Sequence, residues 1–468
     1  MKDVERKELL RVIEQFSWVA DITMMDYFVD DVWQKLPSSW REFLKDMQPN
    51  DWSHLLSYDI APLKRVLPLS LLCLLRFSRS HSLDRTPPQD PGQMIQHFPS
   101  TPIELELSDS FTLTPKSLQS RIKLKKQHEI DRILELIRVI LQVAESRGNR
   151  IERIVDVGAG IGHLSRMIAV HFPHLRIEAI EGESTFDEKA RYLDDNMKRR
   201  VELNQPIRSV QFLKCNGNDA DTIGSEESGS KTLLIGLHSC GDLSPTSIRN
   251  FLSCTSASAL LLFGCCYHKL SPYKYGQNDQ TTVHSDDPQN QKETFGFPMS
   301  KAFSSVQFSY AARELACHSI ESFAKDLEKN DLSGPISRTY RAALEQIIQH
   351  AHPGSEKQMK TTPVNKPFRL TFEDYANKAL DHEQQLLDEI RNHLPCATCS
   401  PMTTRLHEHA TGMMSAHCLR LLMAPLIESA IIQDRIAFLR ENSQPLSFCL
   451  PLFDPLVSPR NFAIVAFK

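Results

Sequence analysis

The chain lacks several features that would assign it to a broad class of proteins. Its 54 Lys and Arg residues stand against 58 Asp and Glu residues, so the net charge is −4 and any basic surface for nucleic acid must be local. Its 11 cysteines follow no disulfide framework spacing, which favours reduced thiols. The first eight residues are charged and hold no apolar signal core, so secretion is not expected. The sequence therefore predicts an intracellular protein, cytoplasmic, nuclear or both.

Long uninterrupted apolar runs are also absent. The two longest, Val66 to Phe77 and Leu419 to Ile432, each contain charged residues, and the second also contains a proline. Neither provides the ~20 clean apolar residues that span a bilayer. We therefore expect two buried core helices and no membrane span, although a hydropathy window could select the second run.

Residues 154–165 are the stretch around which the rest of the chain is organised. Four mostly apolar residues predict a short buried strand, and a turn containing Gly158, Gly160 and Gly162 leads into a helix that begins near His163. Glycine allows the backbone to approach a ligand closely, and the helix N-terminus offers unpaired N–H groups and a partial positive charge. This turn is therefore a candidate ligand site.

The following strands indicate which ligand the turn would bind. The next strand ends on Glu181, about twenty residues after the glycines, the offset at which an acid accepts hydrogen bonds from a ribose diol. With Asp156 two residues before the first glycine, the turn looks like the DxGxGxG signature of class I S-adenosylmethionine-dependent methyltransferases. Such folds place a polar group after the third strand against the adenine amino group. The residues expected to bind S-adenosylmethionine are Asp156, Gly158, Gly160, Gly162, Glu181, Asn218 and Asp219. A degenerate fold without a ligand is the alternative.

Alternation of strands and helices predicts the fold class. From residue 119 onward, near-continuous apolar strands alternate with helices, which predicts a parallel, doubly wound α/β sheet covered on both faces. Residues 446–468 read as a strand, a turn and a strand, like the closing antiparallel hairpin of class I methyltransferases. We therefore expect a Rossmann-like methyltransferase domain over 119–269 and 446–468. Residues 1–118 predict a helical accessory domain, and 270–445 an insertion with a polar loop and helices.

Polar residues follow the fourth and fifth predicted strands, and ligands of open α/β sheets gather at such strand ends. His238 or His268 could act as a general base, since imidazole titrates near neutrality, or make only structural hydrogen bonds. Asp242 could orient His238, bind the methionine amine or cap the next helix. Tyr267 could stack on a base or pack under the cofactor. These four residues are the catalytic candidates.

Cysteines occupy the same two turns. Cys240, Cys265 and Cys266, beside the histidines, could bind zinc or provide a thiolate. No CxxC pair supports a metal at either turn, and buried cysteine is ordinarily a small apolar filler. The one CxxC, Cys396-Ala-Thr-Cys399, has no second pair nearby. The sequence therefore predicts no metal.

Several segments together carry a more specific resemblance. They are Lys125-Lys-Gln-His-Glu129, residues 155–165, Gly236-Leu-His-Ser-Cys-Gly-Asp-Leu243, Gly264-Cys-Cys-Tyr-His268 and Ser458-Pro-Arg-Asn-Phe462. The combination resembles the methyltransferase-like 25 family over nearly the whole chain. The turns after strands four and five are also similar to those of eukaryotic tRNA 2′-O-methyltransferases, which carry His-Cys-Gly and Cys-Cys-His-His elements there.

The resemblance implies S-adenosylmethionine-dependent methyl transfer, and the likeness to the tRNA enzymes favours RNA, ribosomal or transfer, as the substrate. Local basic clusters at Arg121 to Lys126 and Lys198 to Arg200 would contact the RNA. The turn after strand four lacks the Asn/Asp-Pro-Pro-Tyr element with which adenine N6-methylases hold a flipped base. A protein methyltransferase acting on a ribosomal or other protein, and a non-catalytic cofactor-binding module of the translation machinery, are the alternatives.

Overall fold

The structure is a computed structural model that describes residues 3–99, 122–198, 204–213, 223, 230–271, 296–329, 333–353, 361–391 and 401–468, with side chains from residue 411 onward in the last range. It divides into two compact units. Residues 1–82 and 309–427 form one, here called the helical unit, and residues 83–308 and 428–468 form the other, here called the sheet unit. This grouping differs from the three predicted segments, because the N-terminal helices and most of the insertion fall in a single unit.

The helical unit consists of helices and short turns packed around apolar clusters. Its helices are Asp3–Ala20, Val32–Lys35, Ser38–Leu44, Pro49–Leu56, Leu69–His81, Tyr310–Leu315, Ile320–Glu328, Ser333–Ala351, Phe372–Ala379, Gln384–Ile390 and the first part of Pro401–Glu441, with 3-10 turns at Met24–Asp26 and Pro367–Arg369. Leu9, Val12, Ile13 and Phe16 recur at helical spacing along the first helix and are all buried. Such one-sided burial is what stabilises short helices in a protein.

The long helix Pro401–Glu441 contains the apolar run that a hydropathy window selects. Its part Thr411–Glu441 is the one helix in the described ranges that is long and apolar enough to cross a membrane by length and composition alone. The most apolar window is 100% buried inside the protein. Complete burial is typical of a core helix, so length and composition here are weak evidence for a span.

The sheet unit contains seven strands. They are β1 (Ile151–Val157), β2 (Arg176–Glu181), β3 (Ile207–Val210), β4 (Lys231–Cys240), β5 (Ala257–Cys265), β6 (Ser447–Pro451) and β7 (Phe462–Phe467). Their order is β3-β2-β1-β4-β5-β7-β6. β1 to β5 are parallel, and β7 is antiparallel to both of its neighbours. The predicted α/β sheet with a closing antiparallel strand is confirmed.

Helices cover both faces of this sheet. They are Pro91–Ile95, Leu124–Ser146, His163–His171, Ser184–Lys198, Leu243–Ser253 and the end of Pro401–Glu441, with 3-10 turns at Tyr267–Lys269 and Lys301–Phe303. Successive strand residues point to opposite faces, so Ile154 enters one apolar cluster and Val155 the other. Leu233 and Leu234 divide in the same way. Because β1, β2, β4 and β5 are parallel, the segments that follow them meet at one edge of the sheet.

Candidate active site

The glycine turn after β1 is tied to the end of β2. The backbone N–H groups of Gly158 and Ala159 both donate to the carbonyl of Ile180, at 2.8 and 3.1 Å. Gly158, Gly160 and Gly162 have φ values of 70°, 56° and 73°, a left-handed backbone that glycine adopts without strain. A Cβ at Gly160 would meet nothing within 4 Å. The turn therefore presents open space in front of Gly160, where a ligand has room to approach the backbone.

Glu181 lies directly opposite this turn. Its Oε2 accepts the N–H of Gly160 at 2.6 Å, and its Oε1 accepts those of Gly182 and Glu183 at 3.0 and 3.1 Å. A carboxylate has about four acceptor positions, so a ribose hydroxyl would take the remaining one or exchange with Gly160. This geometry fits the ribose contact predicted for Glu181.

Phe212 is a site candidate that sequence reasoning missed. Its ring lies against the backbone of Gly182, where a Cβ would come within 2.5 Å of it, and Phe212 itself is 78% exposed. An exposed aromatic face beside Glu181 is well placed to stack on a nucleoside base. The only signal in the sequence is its position just after β3. Asn218 and Asp219, predicted to place a polar group against the adenine amino group, lie outside the described residues.

Asp156 is a buried residue that supports the glycine turn through a hydrogen bond with Ser165. It is 1% exposed, and the Ser165 hydroxyl donates to its Oδ2 at 2.6 Å. Burial raises the pKa of Asp156 to about 6, although the hydrogen bond from Ser165 opposes the shift. Asp156 therefore connects β1 to the helix His163–His171 and does not face the open space, so its contribution to ligand binding is to hold the turn in place.

A buried ion network also fixes the turn. Asp194 accepts hydrogen bonds from the Nε atoms of Arg166 and Arg208, both at 2.5 Å. Arg166 Nη2 then donates to the carbonyl of Ile161 in the turn at 2.7 Å. A Cβ at Gly162 would overlap the Arg208 guanidinium. This network therefore gives a structural reason for glycine at position 162.

His238 lies near the end of β4, where the pairing with β5 is irregular between Gly236 and Ser239. Its φ is 64°, a conformation uncommon outside glycine, which is typical of functional sites. The side chain is 35% exposed, and its Nε2 lies 3.1 Å from Oε2 of Glu129. The β4 irregularity thus aims the imidazole at a buried carboxylate.

Glu129 is completely buried on the helix Leu124–Ser146. Its Oε1 accepts the Ser458 hydroxyl at 2.8 Å, and Lys126 Nζ lies 3.0 Å from Oε2. Burial by itself would raise the pKa of Glu129, but the His238 hydrogen bond and the charges of His238 and Lys126 lower it to about 2. Three segments that carried the family resemblance, 125–129, 236–243 and 458–462, therefore meet at one ionised carboxylate.

Asp242 and His268 are two further catalytic candidates from the sequence. Asp242 Oδ1 accepts the backbone N–H of Ser271 at 2.9 Å, and the side chain makes no capping hydrogen bond to the helix that follows it. His268 is partly buried in the turn Tyr267–Lys269. Neither the helix-capping role of Asp242 nor its hydrogen bond to His238 is found in the described part of the chain. Through its hydrogen bond with Ser271, Asp242 instead holds the segment after β5 in place.

Tyr267 was predicted either to stack on a base or to pack under the cofactor, and the structure buries its ring. It is 4% exposed, and its hydroxyl donates to Glu428 Oε1 at 3.3 Å. The guanidinium of Arg460 lies over its ring at 6.0 Å, and Gly264 adjoins the ring edge. Because the ring is enclosed, it has no free face for a base, and packing is its role.

The three cysteines of the two turns converge. Cys240 Sγ lies 3.1 Å from Cys265 Sγ and 3.4 Å from Cys266 Sγ, and all three sulfurs lie within 4.8 Å of one another. Hydrogen bonding from Cys265 lowers the pKa of Cys240 to about 6, whereas the same bond and burial raise that of Cys265. The absence of a CxxC pair did not predict this convergence, because Cys240 and Cys265 lie on neighbouring strands.

Basic side chains surround the start of the helix that carries Glu129. Lys123 and Lys125 are exposed, and Lys126 is partly buried. Lys198, at the end of the helix Ser184–Lys198, is also exposed. Arg121, Arg199 and Arg200 of the predicted basic clusters lie outside the described residues.

Comparison with known proteins places the site in a recognised domain. Residues 125–273 match a protein-family model described as a methyltransferase domain. Two relatives are both named probable methyltransferase-like protein 25. The human protein is 30% identical over 241 residues, 50% of this chain and 37% of the relative. The mouse protein is 29% identical over 250 residues, with the same shares. The chain thus spans little more than a third of these relatives' length.

Two solved structures are also similar. Magnesium protoporphyrin IX methyltransferase from Synechocystis, with bound SAM, has 16% identity and a TM-score of 0.21, covering 33% of this chain and 72% of that one. Coclaurine N-methyltransferase, bound to N-methylheliamine and SAH, has 11% identity and a TM-score of 0.25, covering 98% and 100%.

The family match confirms the predicted methyltransferase domain, which implies S-adenosylmethionine as the methyl donor. The resemblance to the methyltransferase-like 25 proteins is confirmed as well. The matched residues include the glycine turn, Glu129, His238 and the three clustered cysteines.

Proposed function

We propose that this protein, whose methyltransferase domain is related to that of the methyltransferase-like 25 proteins, transfers a methyl group from S-adenosylmethionine to RNA. The observation that carries the proposal is the pair formed by His238 and the buried carboxylate of Glu129. S-adenosylmethionine supplies a methyl group already activated on a sulfonium. The protein must therefore orient the two reactants and remove one proton.

The pair is arranged to remove that proton. Because the pKa of Glu129 is about 2, its carboxylate is ionised and accepts a hydrogen bond from Nε2 of His238. This bond selects the tautomer whose Nδ1 is unprotonated. Nδ1 can then accept the proton of a ribose hydroxyl or a ring nitrogen, and Glu129 stabilises the resulting imidazolium, the relation found in catalytic triads.

The cofactor would lie along the glycine turn. The open backbone at Gly160 would receive the methionine part, Glu181 would accept from the ribose, and the exposed ring of Phe212 would stack on the adenine. Asp156 and the ion network around Asp194 would hold these groups in position. His238 lies near the carboxyl end of β4, which neighbours β1, so a base there lies at the same edge of the sheet as the glycine turn.

Charge and aromatic exposure support RNA as the substrate. Lys123 and Lys125 present exposed amines on the helix that carries Glu129, and Lys126 Nζ lies 3.0 Å from the Glu129 carboxylate. Tyr192 and Phe186, on the helix after β2, are 66% and 44% exposed. Exposed amines suit phosphates, and exposed aromatic rings suit unstacked bases. A protein substrate is the alternative, and the transfer experiment below separates the two.

Cofactor binding is tested by calorimetric titration of S-adenosylmethionine into the wild type, Gly160→Asp and Gly148→Asp. Gly148 is the matched control, because it also has a positive φ, 79°, and a Cβ there also meets nothing within 4 Å. We expect micromolar binding that Gly160→Asp abolishes and Gly148→Asp retains. No binding to folded wild type, or equal binding by both variants, would contradict the site.

Substrate class is tested by transfer of a tritiated methyl group into separated RNA and protein pools. His238→Gln should bind S-adenosylmethionine normally while losing about 10²- to 10⁴-fold in transfer rate. His174→Gln, at an exposed histidine of the same unit, should transfer normally. Label found only in protein would refute the RNA assignment, and an active His238→Gln variant would refute the role of the base.

A further inference from the structure

We propose that Cys240, Cys265 and Cys266 form a zinc site at the carboxyl ends of β4 and β5. This site goes beyond methyl transfer, which needs no metal. It would hold Zn²⁺ through three sulfurs and leave one coordination position open.

Strand pairing brings the first two sulfurs together. Cys240 and Cys265 are direct partners in the parallel register of β4 and β5. Their sulfurs lie 3.1 Å apart. Two neighbouring side chains on the same face of adjacent strands are held in place by the sheet itself, so no flexible loop has to close to assemble this pair.

The third sulfur is brought in by an unusual turn. Cys266 has a φ of 48°, a left-handed conformation that a non-glycine residue adopts at a cost of about 1 to 3 kcal/mol. Its Sγ lies 3.4 Å from Cys240 Sγ. At Gly241, a Cβ would meet the backbone of Lys269 at 2.7 Å, so the turns after β4 and β5 are packed together. The backbone around the cluster is therefore rigid and specific.

The sulfur separations suit a tetrahedral zinc ion. Zn–S bonds of about 2.3 Å at tetrahedral angles place two sulfurs about 3.8 Å apart. The measured separations are 3.1 and 3.4 Å, and no pair in the cluster exceeds 4.8 Å. Small side-chain adjustments would therefore place all three sulfurs at bonding distance from one ion.

Exposure and charge indicate the kind of zinc site. Cys240 is exposed and Cys266 partly so, while Cys265 is buried. A site with three protein ligands and one side open to solvent resembles catalytic zinc sites, where water or substrate completes the coordination. Zinc binds cysteine as the thiolate, so a divalent ion would offset the charge of three clustered sulfurs. The open position would accept water or a nitrogen or sulfur ligand.

The test measures metal content of the full chain, purified without chelators in the presence of reductant. We expect about one zinc ion per chain in the wild type and loss of most of it in Cys240→Ser and Cys266→Ser. Cys240 is exposed, so its serine variant should fold, and circular dichroism checks this. Cys73→Ser is the single-cysteine control, and a Cys396→Ser, Cys399→Ser double variant controls for zinc held by the only CxxC.

Spectroscopy provides a second readout that does not depend on activity. Protein stripped of metal and loaded with Co²⁺ should show the visible bands of a tetrahedral cobalt–thiolate centre, and Cys266→Ser should lose or alter them. Zinc retained by folded Cys240→Ser and Cys266→Ser but lost by the double variant would overturn the proposal. So would a wild type that binds neither zinc nor cobalt, or one in which Cys240 and Cys265 are found joined as a disulfide.

Discussion

Replacing Glu129 by glutamine should destabilise the sheet unit in a strongly pH-dependent manner. Glutamine keeps the size of the side chain but removes the charge that His238 and Lys126 contact. The pKa of Glu129 is lowered from 4.5 to about 2 in the folded protein. This difference corresponds to at most about 3 kcal/mol of stability near neutral pH, because part of the shift comes from a positively charged His238.

The sign of the pH dependence follows from the direction of the shift. Because the folded-state pKa lies below the unfolded one, the stabilisation by Glu129 is complete well above pH 4.5 and is lost as the pH falls towards 2. At about pH 4, linkage predicts that about 1 kcal/mol of it is already gone. The difference in free energy of unfolding between wild type and Glu129→Gln should therefore shrink by about 1 kcal/mol between neutral pH and pH 4.

Urea unfolding followed by circular dichroism, at several pH values from neutral to about 4, measures this difference. Glu135 on the same helix is the control. Its pKa is raised, mainly by burial, and the charge of Arg132 only partly opposes this shift. For Glu135→Gln the wild type should gain relative stability as the pH falls, the opposite trend. A Glu129→Gln difference that stays constant over this range would refute an ionised Glu129 held by His238.

Two further substitutions test the supports of the cofactor turn. Asp194→Asn should lower the free energy of unfolding by about 3 to 5 kcal/mol, because it leaves Arg166 and Arg208 buried without a carboxylate. Urea unfolding measures this difference. A loss below ~1 kcal/mol would contradict the network. Phe212→Ala should weaken S-adenosylmethionine binding by about 1 to 3 kcal/mol in calorimetric titration, by analogy with base stacking, while leaving stability unchanged because the ring is exposed. Unaltered affinity would remove Phe212 from the cofactor site.

Local sequence patterns were sufficient to predict the sheet. Apolar strands, the glycine turn and the acid at Glu181 follow from short-range periodicity and spacing, and the structure places them as predicted. The domain grouping could not be predicted in this way. Whether residues 1–82 belong with 309–427 is decided by packing between segments more than 200 residues apart, which no local pattern records.

The candidate site shows the same division between local and long-range information. His238 was predicted from its place after a strand, but its partner Glu129 lies 109 residues earlier. For Tyr267 the sequence left base stacking and packing under the cofactor open, and its contact with Glu428, 161 residues later, is not visible in any local pattern. The sequence named the three cysteines as possible zinc ligands but could not show that their sulfurs meet, because strand pairing, and not sequence spacing, brings them together.

The ion network centred on Asp194 affects the entropy that the cofactor site loses when a ligand binds. Arg166 joins this carboxylate to the carbonyl of Ile161, so the glycine turn takes its shape when the sheet unit folds. A turn ordered in advance loses little conformational entropy when a ligand arrives, and preorganisation of this kind raises affinity without adding a contact to the ligand. Residues of β3 and of the helix after β2, remote from the transferred methyl group, thereby help to set how tightly the donor is held.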